Sequence, residues 1–108
     1  MTDKISIQDF AKVEIRVGKV VEAEGVEKSE KLIRLTVDFG DYERTIFTGV
    51  RSYGYMVEDF VGKQFLFVTN LEPKKIMEEE SQGMILAVGE DRPIFIEVKD
   101  MPIGAKVR

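Results

Sequence analysis

The stretch Ile33-Arg34-Leu35-Thr36-Val37-Asp38-Phe39 alternates without a break, apolar at every odd position and polar at every even one. Successive side chains of a strand point to opposite faces, so this pattern buries one face and leaves the other in water, whereas a helix would scatter it. Val13, Ile15 and Val17 repeat the alternation against Glu14 and Arg16, and further strands are readable over residues 43–50, 64–69 and 84–88. The chain is therefore expected to fold as half-buried strands.

The punctuation between these runs points to a closed sheet. Gly40-Asp41 offers a tight hairpin turn, because glycine takes the positive φ that such turns need. Gly18 interrupts the first strand, where a residue without Cβ allows a bulge, so that one strand can serve both halves of a barrel. Residues 52–63 form the internal segment able to hold a short helix, with Val57, Phe60 and Val61 on one face and Gly62 ending it. Five strands with a helix between the third and fourth describe an all-β OB-fold barrel, a fold whose face binds oligonucleotides or oligosaccharides. The tail, with Ile94-Phe95-Ile96-Glu97-Val98 and then Met101-Pro102-Ile103-Gly104, reads as a C-terminal extension carrying one more strand. Either it caps the barrel's own core or it builds a contact outside it. At 108 residues and 44% apolar side chains, the chain suits one core and one domain, residues 1–108.

Composition removes many functions. There is no cysteine and no histidine, hence no disulfide, no thiolate and no imidazole ligand or general base. No cofactor, metal or catalytic role is expected. No run approaches the ~20 apolar residues that cross a bilayer, and residues 1–4 lack the apolar core of a signal peptide, so a cytoplasmic chain free of the membrane is expected. The initiator Met1 suggests a free-standing protein. A net charge of −4 argues against indiscriminate phosphate binding, which rests on Lys and Arg, so any nucleic-acid site must be a local basic face.

One segment offers such a face. Asn70-Leu71-Glu72-Pro73-Lys74-Lys75-Ile76 leads from an apolar strand into a lysine pair, and Ser81-Gln82-Gly83-Met84-Ile85-Leu86-Ala87 returns to another strand. Asn70 can donate and accept at once, as a base edge or a 2′-hydroxyl requires, or it can satisfy its own loop backbone. Lys74 and Lys75 can neutralise neighbouring phosphates, Ser81 can reach a ribose, and Met84 can meet a base edge or pack in the core. Arg16 and Lys19 on the first strand extend the positive face, with Arg34, Arg44 and Arg51 as further cations.

These segments, with Val13-Glu14-Ile15-Arg16-Val17-Gly18-Lys19-Val20, Lys31-Leu32 and Val37-Asp38-Phe39-Gly40, resemble the tRNA-binding domain family over nearly the whole chain. That family includes free-standing tRNA-binding proteins, a C-terminal domain or separate subunit of methionyl-tRNA synthetases, and a chaperone branch. The resemblance implies an OB-fold, a homodimer, tRNA as partner with methionyl-tRNA synthetase as a further one, and no catalysis. It implies tRNA contacts at Lys31, Asn70, Lys74, Lys75, Ser81 and Met84. The alternative within the family is a chaperone-like homodimer that binds peptides. The chain departs from the family pattern in three places: it lacks a His-Pro pair before Lys31-Leu32, it lacks the proline in Tyr55-Met56-Val57-Glu58, and it has Met77-Glu78-Glu79-Glu80 where a basic residue and a glycine are usual. Carboxylates beside the lysine pair are expected to oppose RNA unless they point away or are paired.

Overall fold

The computed structural model describes residues 2–108. At its centre β1 (Ile15–Gly25), β2 (Ile33–Asp38), β3 (Glu43–Thr48), β4 (Gln64–Val68) and β7 (Met84–Ile85) form an antiparallel five-stranded sheet in the order β3-β2-β1-β4-β7. The sheet curls into a nearly closed barrel. β1 makes this possible, because its first half pairs with β4 (Ile15↔Val68 to Lys19↔Gln64) and its second half with β2 (Lys19↔Asp38 to Gly25↔Ile33). The bend lies between Val20 and Glu22, where the register slips by one residue, rather than at Gly18. Gly18 keeps regular pairing and serves packing instead: a Cβ there would lie 2.5 Å from Val37 and 2.7 Å from Phe39. Only a bare backbone lets the coiled strand cross the core that closely.

The alternation in β2 is realised as expected. Ile33, Leu35 and Val37 are fully buried and meet Val20, Ile46, Phe60 and Phe67 in one continuous core. The Gly40-Asp41 turn is also present, with Gly40 at φ 99° and the Asp38 carboxylate accepting from its N–H at 2.7 Å.

Between β3 and β4 the expected helix is replaced by two single 3₁₀ turns, Arg51–Tyr53 and Val57–Asp59. Gly54 at φ 90° ends the first, and the Asp59 carboxylate caps the Met56 N–H at 2.7 Å, so each turn closes before a costly α-helical nucleus can propagate. Phe60 is fully buried and Val57 half-buried, while Val61 is exposed, contrary to the single apolar face expected.

The short strands outside the barrel carry the loops. β5 (Lys74–Ile76) and β6 (Glu79–Ser81) form a hairpin, and β8 (Ala87–Val88) pairs with β9 (Ile94–Phe95). The run 84–88 is thus split, its first part on β4 and its second on the tail. From the tail, Phe95 packs its ring on Tyr55, Phe60 and Phe65 at centroid distances of 5.1, 5.2 and 6.2 Å. Residues 104–107 run along the free edge of β1, with Val17 N–H donating to Ala105 at 2.9 Å and Val107 N–H to Ile15 at 2.8 Å. The extension therefore caps its own barrel, and it also leaves Val88, Ile94, Ile96 and Met101 exposed. At the other end a short helix, α1 (Ile7–Ala11), starts at Ser6, whose hydroxyl accepts from the Asp9 N–H. The Ser-x-x-Asp spacing there is a helix-capping signal, absent from the expectations above. Among the described residues no helix is long and apolar enough to cross a membrane.

Candidate nucleic-acid interface

Because Ile33, Leu35 and Ile46 point inward, their neighbours Leu32, Arg34 and Phe47 stand on the outer face of β2 and β3. Two loops flank this face: residues 26–32 between β1 and β2, and the β5–β6 hairpin between β4 and β7. The hairpin folds over the outer face and leaves an open groove of about 660 Å³. Its walls are Leu32, Phe47, Leu71, Ile76 and Met84, and Lys74 and Glu72 add one cation and one carboxylate to the lining. In an OB barrel, the outer face of the second and third strands between these two loops is where oligonucleotides bind.

Polar contacts hold the hairpin in place. The Ser81 hydroxyl accepts from the Phe47 N–H at 3.0 Å, and the Gln82 side chain accepts from the Thr45 N–H at 2.9 Å while its backbone N–H donates to the Thr45 carbonyl at 2.8 Å. These bonds join β3 to residues 81–82, just ahead of β7, and draw the two edges of the barrel together. Ser81 is buried in the groove lining, where its hydroxyl accepts from the Phe47 N–H and donates to the Gly83 carbonyl at 3.4 Å. Arg34 spans the hairpin and the barrel, binding Glu79 at 3.0 Å on one side and Glu24 on the other.

The remaining expected residues divide between those around the groove and those bound into the fold. Lys31 is exposed on the 26–32 loop, next to groove-lining Leu32, and Met84 is half-exposed in the groove. Lys74 pairs with Ser81 across the hairpin and Lys75 with Glu80. Alternation therefore places Lys74 on the groove side and Lys75 on the opposite one. Asn70 accepts from the Glu14 N–H at 2.8 Å and donates to the Lys12 carbonyl at 2.6 Å, so its amide clamps the segment before β1. Arg16 and Lys19 lie outside the groove. The Arg16 guanidinium binds Glu14 at 2.8 Å and the Gly104 carbonyl at 2.9 Å, fixing the tail. That hydrogen bond from Arg16, seconded by one from Thr69, holds the Glu14 carboxyl below its ordinary range.

Two of the further cations are structural as well. Arg51 donates to the Ser29 carbonyl at 2.9 Å in the 26–32 loop, and Arg44 ties the Thr69 and Gln82 carbonyls together at 3.2 and 3.3 Å. The carboxylates beside the lysine pair are partly neutralised. Glu79 is paired with Arg34, not with the lysines or Arg44, and Glu80 stands opposite Lys75. Glu78 sits in the exposed turn and has no ion pair among the described residues. Sequence reasoning missed Leu32, Phe47 and Leu71 as groove walls. The outward parity of Phe47 in its strand was the available signal.

The sequence pattern of the tRNA binding domain family matches residues 15–106. This chain belongs to that family. The match starts at the first residue of β1 and ends in the strip of tail paired with it, so it includes every element that builds the groove. The methionine–tRNA ligase of Methanococcus aeolicus is 42% identical over 95% of the chain, and that of Deinococcus radiodurans is 47% identical over 96%. The chain spans only 15% and 16% of those two relatives. Among solved structures, a MetRS related protein from Pyrococcus horikoshii superposes with a TM-score of 0.93 at 39% identity, covering 99% of this chain and all of the other. The chaperone CsaA of Bacillus anthracis superposes at 0.86 and 25% identity, covering 98% of this chain and all of that one. The family is a binding domain rather than a catalytic one.

Proposed function

We propose that this chain is a non-catalytic module, folded as one unit over its length, that binds tRNA by shape and backbone on the outer face of β2 and β3. The observation that carries this reading is the groove between the 26–32 loop and the β5–β6 hairpin, with Lys31 and Lys74 on its two flanks. Cations at both sides of an open face can hold successive phosphates while the acidic remainder of the surface rejects arbitrary contacts. The match to a short part of methionine–tRNA ligases supports a role beside that enzyme, as a domain or accessory subunit that raises its hold on tRNA. Gel-shift titration with tRNA at low salt tests the reading. Binding that falls steeply with salt and weakens on combining Lys31→Ala with Lys74→Ala is expected, and no shift with any tRNA at low salt contradicts it.

The chaperone-like alternative is favoured by one observation, the apolar walls of the same groove, and is supported by the likeness to CsaA. On that reading a homodimer grips an unfolded peptide. Suppression of aggregation of a denatured client, undiminished by excess tRNA, is the result it requires.

A further inference from the structure

Phe47 is an aromatic side chain on the wrong side of its barrel. Core phenylalanines here pair with other rings, as Phe39 does with Phe67 and Phe60 with Phe65, but Phe47 makes no aromatic pair among the described residues. It lies on the outer face, opposite Arg34 on β2, and opens into the groove. The groove around it is apolar through Leu32, Leu71 and Met84, and its volume of about 660 Å³ falls in the ~300–1,000 Å³ range of small-molecule sites. Lys74 is part of its lining. An open groove with apolar walls, one unpartnered ring and the Lys74 ammonium, with Glu72 the one carboxylate in its lining, matches a single nucleotide: base against ring, phosphate against ammonium.

We propose that this groove takes one unpaired RNA base, stacked on Phe47, with its phosphate on Lys74. The proposal rests on the tRNA-binding reading and adds to it a requirement for an unstacked nucleotide. Bases in a duplex keep both faces covered, so the nucleotide must come from a loop or an end of the tRNA. Stacking is tolerant of base identity because every base has a π-face, which agrees with recognition by shape.

The chain contains no tryptophan, so Phe47→Trp installs a single fluorescent reporter in the groove. Its emission is expected to be quenched on adding tRNA and unchanged with a fully paired RNA duplex. Phe47→Leu keeps apolar volume and loses the π-face; it is expected to bind tRNA about tenfold more weakly with the salt slope unaltered. A second variant plugs the site. A Cβ at groove-lining Gly49 meets no heavy atom within 4 Å, and Gly49 does not carry a positive φ, so Gly49→Leu fills the groove without distorting the fold and is expected to weaken tRNA to a similar degree. Gel shifts run in parallel separate the two readings. Unquenched emission from the Phe47→Trp variant with an intact tRNA shift overturns the stacking proposal and leaves tRNA binding standing. Absence of any tRNA shift in the wild-type chain removes both, and quenching by an apolar peptide but not by tRNA reassigns the groove to peptides.

Discussion

Residues of similar chemistry do different work here, and hydrogen bonding separates them. The Asn70 amide is spent on two backbone groups, the Glu14 N–H and the Lys12 carbonyl. Removing it strands both, so Asn70→Ala is expected to cost about 1 to 2 kcal/mol of stability and lower the melting temperature by several degrees. Its effect on tRNA affinity should be small when measured well below melting. A large loss of affinity with unchanged melting would return Asn70 to the ligand-contacting set. The two lysines differ by the same geometric logic. Lys74 faces the groove and Lys75 faces Glu80, so Lys74→Ala is expected to flatten the log-log salt dependence of tRNA binding by about one unit, as loss of one phosphate contact does, while Lys75→Ala changes it less. Equal effects of the two in salt titrations would show that RNA approaches the hairpin from outside the groove.

At the scale of elements, the β5–β6 hairpin departs most from its family pattern. Its turn is Met77-Glu78, and Met77 holds φ 57°, a region that favours glycine and costs other residues roughly 1–2 kcal/mol. Glycine therefore belongs at position 77 and the basic residue at 78. The double change Met77→Gly with Glu78→Arg is expected to relieve about 1 kcal/mol of strain and tighten tRNA binding at low salt, readable as a higher melting temperature and a lower Kd. Unchanged affinity across salt concentrations would mean that the turn points away from the ligand. The barrel strands were legible because alternation in β1 and β2 reports burial directly, and the Gly40 turn because its φ demands that residue. The helix between β3 and β4 misled because apolar spacing over residues 57–61 says nothing about whether a turn propagates. The site was legible only as a segment. Lys74 and Met84 line one groove and Lys31 lies on the loop beside it, whereas the hydrogen bond of Ser81 with the Phe47 N–H depends on a closure between chain segments 34 positions apart, which no local pattern records.

For the whole molecule, apolar surface remains at both ends of the chain. Ile5 and Ile7 are 69% and 72% exposed near the N-terminus, and Val88, Ile94 and Met101 are exposed by half or more in the extension. Phe95 and residues 104–107 serve the barrel itself, and Val88, Ile94, Ile96 and Met101 are the part of the extension left open to a partner. A two-fold homodimer that covers it is expected, and sedimentation at micromolar concentration should give about twice the chain mass of 12.3 kDa. A monomer under those conditions contradicts the dimer without touching the groove. The central claim is that the outer face of β2 and β3 recognises folded tRNA through its backbone. It is tested most directly by one salt-dependent gel-shift comparison of tRNA with an unstructured RNA of equal length. With about four phosphates engaged, a log-log slope of roughly −3 to −4 and clear preference for tRNA at every salt concentration are predicted. Equal affinity for the two RNAs would contradict the claim.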